Sequence, residues 1–116
     1  MTPSYMAGLF DGEGSVEYTK RFDSSKGYTC RRIVCEMSMT DHPVMKQWFK
    51  SVKCGSLNPK KVPTGCKPQW RWRCCFKDAL RFAKIIINTN ECYIKKNKLL
   101  KIIKHYDPYN SKRRPL

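Results

Sequence analysis

From Ser15 to Met39 the chain alternates in character. A strand over 15–22 sets Val16, Tyr18 and Phe22 on one side and Glu17, Thr19 and Arg21 on the other. After the turn-forming run Asp23-Ser24-Ser25-Lys26-Gly27, a second strand over 29–39 sets Ile33, Cys35, Met37 and Met39 against Arg32, Val34, Glu36 and Ser38. Period-two patterning on both sides of a polar turn predicts a β-hairpin. The pattern returns over 70–76, where Trp70, Trp72, Cys74 and Phe76 oppose Arg71, Arg73 and Cys75. A weaker strand over 56–60 precedes it, across a loop (59–68) rich in Pro, Gly and Lys.

Helical spacing fills the rest. Thr2-Pro3 is a helix start, an N-cap followed by proline at the first helical position, and Gly12 and Gly14 stop that helix about three turns later. Asp41-His42-Pro43 caps a second helix to about Val52, with Val44, Trp48 and Phe49 toward the core. Two more helices follow, over 77–88 with Leu80, Ala83 and Ile87 inward, and over 91–106 with Leu99, Ile102, Ile103 and Tyr106 inward. The order αββαββαα predicts an α+β fold, a four-stranded antiparallel sheet with helices on one face. One domain is expected over 1–106, followed by a basic, flexible tail over 107–116. The uncovered face must meet water or a partner. The residues assigned to it are Glu17, Thr19, Arg21, Arg32, Glu36, Ser38, Lys60, Arg71 and Arg73.

Charge favours a partner. The 116 residues hold 24 Lys+Arg against 9 Asp+Glu, a formal net charge of +15. An imbalance of that size in a small domain suits a polyanion. It is uneven: up to Asn58 there are 8 basic and 6 acidic residues, and beyond it 16 and 3. No apolar run approaches the roughly 20 residues of a membrane span. Seven cysteines with no secretory leader before them point to a reduced, intracellular setting, without distinguishing organelle, bacterium or phage-infected cell. Cys54, Cys66, Cys74 and Cys75 lack the C-x-x-C spacing of a structural zinc site, so buried or incidental thiols are the plainer reading.

Carboxylates are few, which singles out "YMAGLFDGEGSV", residues 5–16, where Asp11 and Glu13 stand among glycines. Gly8 and Gly12, four apart and next to Ala7, leave one helix face almost without side chains. Such a face lets two helices approach backbone to backbone, or packs tightly inside one core. Pairing the helix with its own copy about a two-fold axis would bring two Glu13 carboxylates together. Their repulsion is relieved by a divalent cation. Hard oxygen ligands suit Mg2+, which binds through a carboxylate and substrate phosphate oxygens and can activate water against a phosphodiester.

"MAGLFDGEG", Met6 to Gly14, resembles the LAGLIDADG motif of homing endonucleases, with Gly12 at a position where the family accepts glycine. The similarity extends over most of the chain, through the order of elements, Trp70-Arg71-Trp72-Arg73 before a helix and Tyr93-Ile94-Lys95-Lys96 opening the last helix. The resemblance implies a saddle-shaped sheet along the DNA major groove and motif helices at a dimer axis. It also implies cleavage of both strands across the minor groove, leaving short 3′ overhangs. By position it makes Glu13 the metal-binding carboxylate, with the Gly12 carbonyl as second ligand, and makes Asp11 more structural than catalytic. Ala7, Gly8, Asp11 and Gly12 fall at the dimer interface. Lys95 matches the basic residue near the scissile phosphate, with Lys96 and Lys98 close enough to compete for the assignment. His42, or Asp41 beside it, falls where relatives place a polar residue that orders water. Each of these could equally be a solvated surface residue.

The implied function is a homodimeric, site-specific DNA endonuclease using Mg2+, with Mn2+ able to substitute and Ca2+ supporting binding alone. Its substrate would be a long, pseudo-palindromic duplex. The alternative is a non-cleaving binder on the same scaffold, an intron RNA maturase or a transcription regulator, which has no need of Glu13. A ribosome-type RNA-binding module explains the charge but not the motif.

Overall fold

The computed structural model describes residues 1–107. Of the expected tail only Asp107 falls among them; 108–116 lie outside the described residues. The elements run α1 (Pro3–Glu13), β1 (Gly14–Asp23), β2 (Tyr28–Met39), α2 (His42–Val52), β3 (Ser56–Lys60), β4 (Gln69–Cys75), α3 (Phe76–Asn88) and α4 (Lys96–His105). The four strands form one antiparallel sheet in the order β1-β2-β4-β3, which bears out the α+β, αββαββαα expectation.

Local chemistry sets the boundaries. Thr2 Oγ1 accepts from the Tyr5 amide at 3.1 Å and caps α1, and Pro3 opens its first turn. Asp41 Oδ1 does the same for α2 through the Val44 amide. In the β1–β2 turn one carboxylate oxygen of Asp23 accepts from the Ser25 and Lys26 amides and the Ser25 hydroxyl.

The register decides what each sheet face carries. Pairs such as Tyr18↔Ile33, Val16↔Cys35 and Met37↔Trp72 point to the helices, and Thr19↔Arg32, Glu36↔Arg73 and Ser38↔Arg71 point away. The helix side is aromatic at its centre. Trp72 and Phe82 lie 5.0 Å apart, Trp48 and Trp72 5.3 Å, and Phe10 meets Phe82 edge-on at 4.8 Å. All four rings are fully buried. The Trp72 indole N–H also donates to the Cys54 carbonyl at 2.9 Å, fixing the loop after α2.

Several inward faces differ from the sequence reading. In α2 the buried residues are Met45, Trp48 and Val52, while Val44 is half-buried and Phe49 exposed. In α3 they are Ala79, Phe82, Ala83 and Ile86, with Leu80 and Ile87 on the flank. Both stripes keep helical spacing, but aromatic packing around Phe10 rotates them toward Trp48 and Phe82. Phe76 does not end β4 on the core side; it opens α3 with φ +51 and its ring 51% exposed. The last helix begins at Lys96 rather than residue 91, because the amides of Tyr93, Ile94 and Lys95 are turned onto the Asp11 carboxylate of α1.

Gly14 is needed for space. A Cβ there would lie 2.3 Å from the buried Phe10 ring. Gly14→Ala is expected to destabilise the fold by about 1–3 kcal/mol through overpacking, read as a lower midpoint in urea with an unchanged slope.

Candidate active site and nucleic-acid interface

Asp11 organises the site. Its carboxylate is 8% exposed, the one buried ionisable oxygen group among the core residues. It accepts four hydrogen bonds from the segment before α4: the Cys92 thiol (3.2 Å) and the amides of Tyr93 (3.1 Å), Ile94 (2.8 Å) and Lys95 (2.9 Å). Burial alone would raise its pKa. The donated hydrogen bonds, led by the Lys95 amide, outweigh burial and hold the carboxyl below its ordinary value. Burial, together with the adjacent carboxylate, pushes the Cys92 thiol up to about 11, so it stays a donor.

The same clamp places Lys95. Its side-chain nitrogen donates to the Asp11 carbonyl at 3.0 Å, at the C-terminal turn of α1. A cation there satisfies a terminal carbonyl and suits the helix dipole, and the lysine is also brought beside the turn that carries Gly12 and Glu13. Glu13 is the last residue of α1, exposed, with no ion pair or hydrogen bond among the described residues. Lys96 and Lys98 are exposed on α4. His42 is held elsewhere. Its ring stacks on Trp70, with centroids 3.7 Å apart and planes 6° from parallel, and no contact joins it to Glu13 or Lys95 among the described residues.

Asp11→Asn leaves one acceptor oxygen facing four donors and adds an amide that can accept from none. The expected cost is about 2–3 kcal/mol. A depressed folded-state pKa contributes stability that is complete above the unfolded value and is lost as pH falls toward the folded one. Wild-type stability should therefore drop below about pH 4, and Asp11→Asn should flatten that decline in thermal melts taken from pH 7 to pH 2.

The expected dimer face divides in two. Ala7 is fully buried and Asp11 nearly so, because the helical period places them with Met6 and Phe10 on the core side; neither side chain is free for a partner. Gly8 and Gly12 face outward, and a Cβ built on either meets nothing within 4 Å. Packing among the described residues therefore does not account for either glycine.

On the open sheet face the register gathers Glu17, Thr19, Arg21, Arg32, Glu36, Ser38, Lys60, Arg71 and Arg73, all the residues expected there. Arg32 pairs with Glu17 at 2.6 Å and Arg73 with Glu36 at 2.9 Å. The first pair is largely exposed and worth little to stability. Arg21, Lys60 and Arg71 have no carboxylate partner among the described residues. All seven cysteines are free thiols. Among the described residues no group of three or more His, Cys, Asp or Glu could hold a metal ion, and no helix is long and apolar enough to cross a membrane.

Sequence reasoning missed the role of Cys92 and of the Tyr93–Lys95 amides. Main-chain donors have no residue signature, and their acceptor lies 81 or more positions away. The Thr89-Asn90 break, where Asn90 has φ +58, parts this segment from α3 only, and no glycine or proline between 91 and 96 marks where α4 begins.

No protein-family model matches the sequence, and no curated protein matches it. Solved structures do match. An archaeal intron-encoded homing endonuclease, I-Vdi141I, complexed with DNA, superposes with a TM-score of 0.72 at 14% identity, over 88% of this chain and 64% of that one. The homing endonuclease I-CvuI, in complex with the I-CreI target in the presence of Mg and with the DNA not cleaved, gives 0.70 at 14% identity, over 96% and 69%. The LAGLIDADG homing endonuclease I-SmaMI, bound to cleaved DNA, gives 0.71 at 18% identity, over 96% of this chain and 40% of that one. The chain thus spans about two thirds or less of these proteins' lengths. With its element order, sheet order and motif helix in place, this chain has the fold of the LAGLIDADG homing endonucleases.

Proposed function

We infer that the protein is a site-specific DNA endonuclease of the LAGLIDADG family that acts as a homodimer joined through α1. The observation that carries this reading is the outward face of α1. Glycine inside a helix costs roughly 0.5–1 kcal/mol against alanine, and among the described residues nothing lies where a Cβ at Gly8 or Gly12 would stand. A second α1 approaching about a two-fold axis accounts for both, and sets two exposed Glu13 carboxylates side by side. One copy of the fold spans only 40% of I-SmaMI, and the DNA complexes of the similar structures support duplex DNA as ligand.

The donors fit a hard divalent cation: the Glu13 carboxylate and the Gly12 carbonyl from each chain, with phosphate oxygens completing the set. When bound, Mg2+ supplies Lewis-acid stabilisation of the phosphodiester and a more acidic attacking water. Mn2+ should replace it, and Ca2+ should support binding alone. Lys95 has two donors beyond its bond to Asp11 and can meet a phosphate oxygen. Asp11 holds the lysine in place; its own carboxylate oxygens are already occupied. His42 on its tryptophan would at most order water.

The open face supplies recognition. Arg71, unpaired, should lose about 1–3 kcal/mol of binding on replacement by alanine if it reads a guanine, or reduce the salt slope by about one if it touches phosphate. Arg32→Ala should lose less, because Glu17 already competes for the guanidinium. Fluorescence anisotropy over a salt series separates the two.

A randomised duplex library incubated with the protein and Mg2+ tests the whole reading. Sequencing of the cut ends should show one long, pseudo-palindromic site with short 3′ overhangs. Tight binding of a site that neither Mg2+ nor Mn2+ allows to be cut would put the maturase or regulator reading in its place.

A further inference from the structure

Phe76 stands where β4 passes into α3, with φ +51. Left-handed backbone costs a bulky residue on the order of 1 kcal/mol or more and costs glycine almost nothing. The core does not repay this, since the ring is half exposed and outside the buried cluster. The conformation instead swings the ring onto the open sheet face. There it lines a hollow of about 290 Å³ together with Val34 and Cys75, which are cross-strand partners, and with Arg21, Arg32 and Arg73. Val34 is only 5% exposed and floors an apolar spot on a face that is otherwise polar. No carboxylate lines the hollow.

A ring of arginines around an apolar floor calls for a ligand that is anionic at its edge and apolar at its centre. Among base edges in the major groove, one offers an apolar group, the 5-methyl of thymine. We propose that Val34, Cys75 and Phe76 receive that methyl group at one position of each half-site, making Phe76 a specificity-determining residue. The proposal rests on the DNA-binding reading above.

The test compares wild type with Phe76→Gly. Glycine relieves the backbone and removes no buried group, so the fold is preserved. Duplexes selected by wild type from a randomised library should carry thymine at one position per half-site, and Phe76→Gly should lose that preference while keeping the rest of the site. On the selected duplex, deoxyuridine in place of that thymidine should weaken wild type about fourfold, the value of one buried methyl, and leave Phe76→Gly unchanged. Unchanged wild-type affinity for the deoxyuridine duplex, or full thymine preference in Phe76→Gly, overturns the proposal while the DNA-binding reading stands. If wild type selects no duplex, that reading falls and takes the proposal with it.

Discussion

Glu13→Gln is expected to bind its DNA site in Ca2+ at least as tightly as wild type and to cut it in Mg2+ at least about a thousandfold more slowly. Glutamine keeps the shape of the side chain and removes its charge. Glu13 is exposed at the end of α1 with no hydrogen bond or ion pair among the described residues, so the substitution breaks nothing in the fold. On the proposed reading it removes a hard anionic ligand, and a metal that stabilises a phosphodiester transition state is worth several kcal/mol. Binding should hold or strengthen because two carboxylates no longer face phosphates. The measurement pairs affinity in Ca2+ with strand scission in Mg2+ on one duplex, and cutting at the wild-type rate would sink the catalytic assignment. Asp11→Asn should cut poorly for a different cause, visible as lost stability before any effect on metal.

Gly8→Leu should have opposite effects on fold and function. A Cβ at Gly8 meets nothing within 4 Å among the described residues, and replacing a helical glycine by a better helix former should stabilise the monomer by roughly 0.5–1 kcal/mol. At a two-fold contact the same side chain is duplicated, and it forces the helices apart by several ångströms. Sedimentation should then show a monomer on DNA where wild type is a dimer, and double-strand cleavage should be lost. A wild-type protein that sediments as a monomer on its site while cutting both strands would remove the dimer reading.

Strands and their faces were legible because alternation is a local property: every residue expected on the open face is there by register. Helix faces were less so. Val44 and Phe49 read as core, yet Met45 and Val52 took those places, because the rotation of a short amphipathic helix is set by the aromatic rings it meets. In the site, the exposed position of Glu13 at the end of α1 was readable from the glycines around it. The assignment of Asp11 to a dimer contact was not sustained, since spacing alone does not tell which side of a helix turns inward. The segment 91–95 read as helix for a similar reason: the carboxylate that holds it out of the helix lies far off in the chain. Phe76 ended a clean alternation, and only its positive φ shows that it leaves the pattern.

The Asp11 clamp also sets an order of assembly. Its acceptor is in α1 and its donors lie 81 to 84 residues later, so the clamp closes a loop that contains the whole sheet and α3. Contacts of that separation are paid for late, after local hairpins and helices have formed. During synthesis Glu13 emerges 82 residues ahead of Lys95. A growing chain therefore carries the carboxylate without its lysine until nearly everything between them has been made and packed.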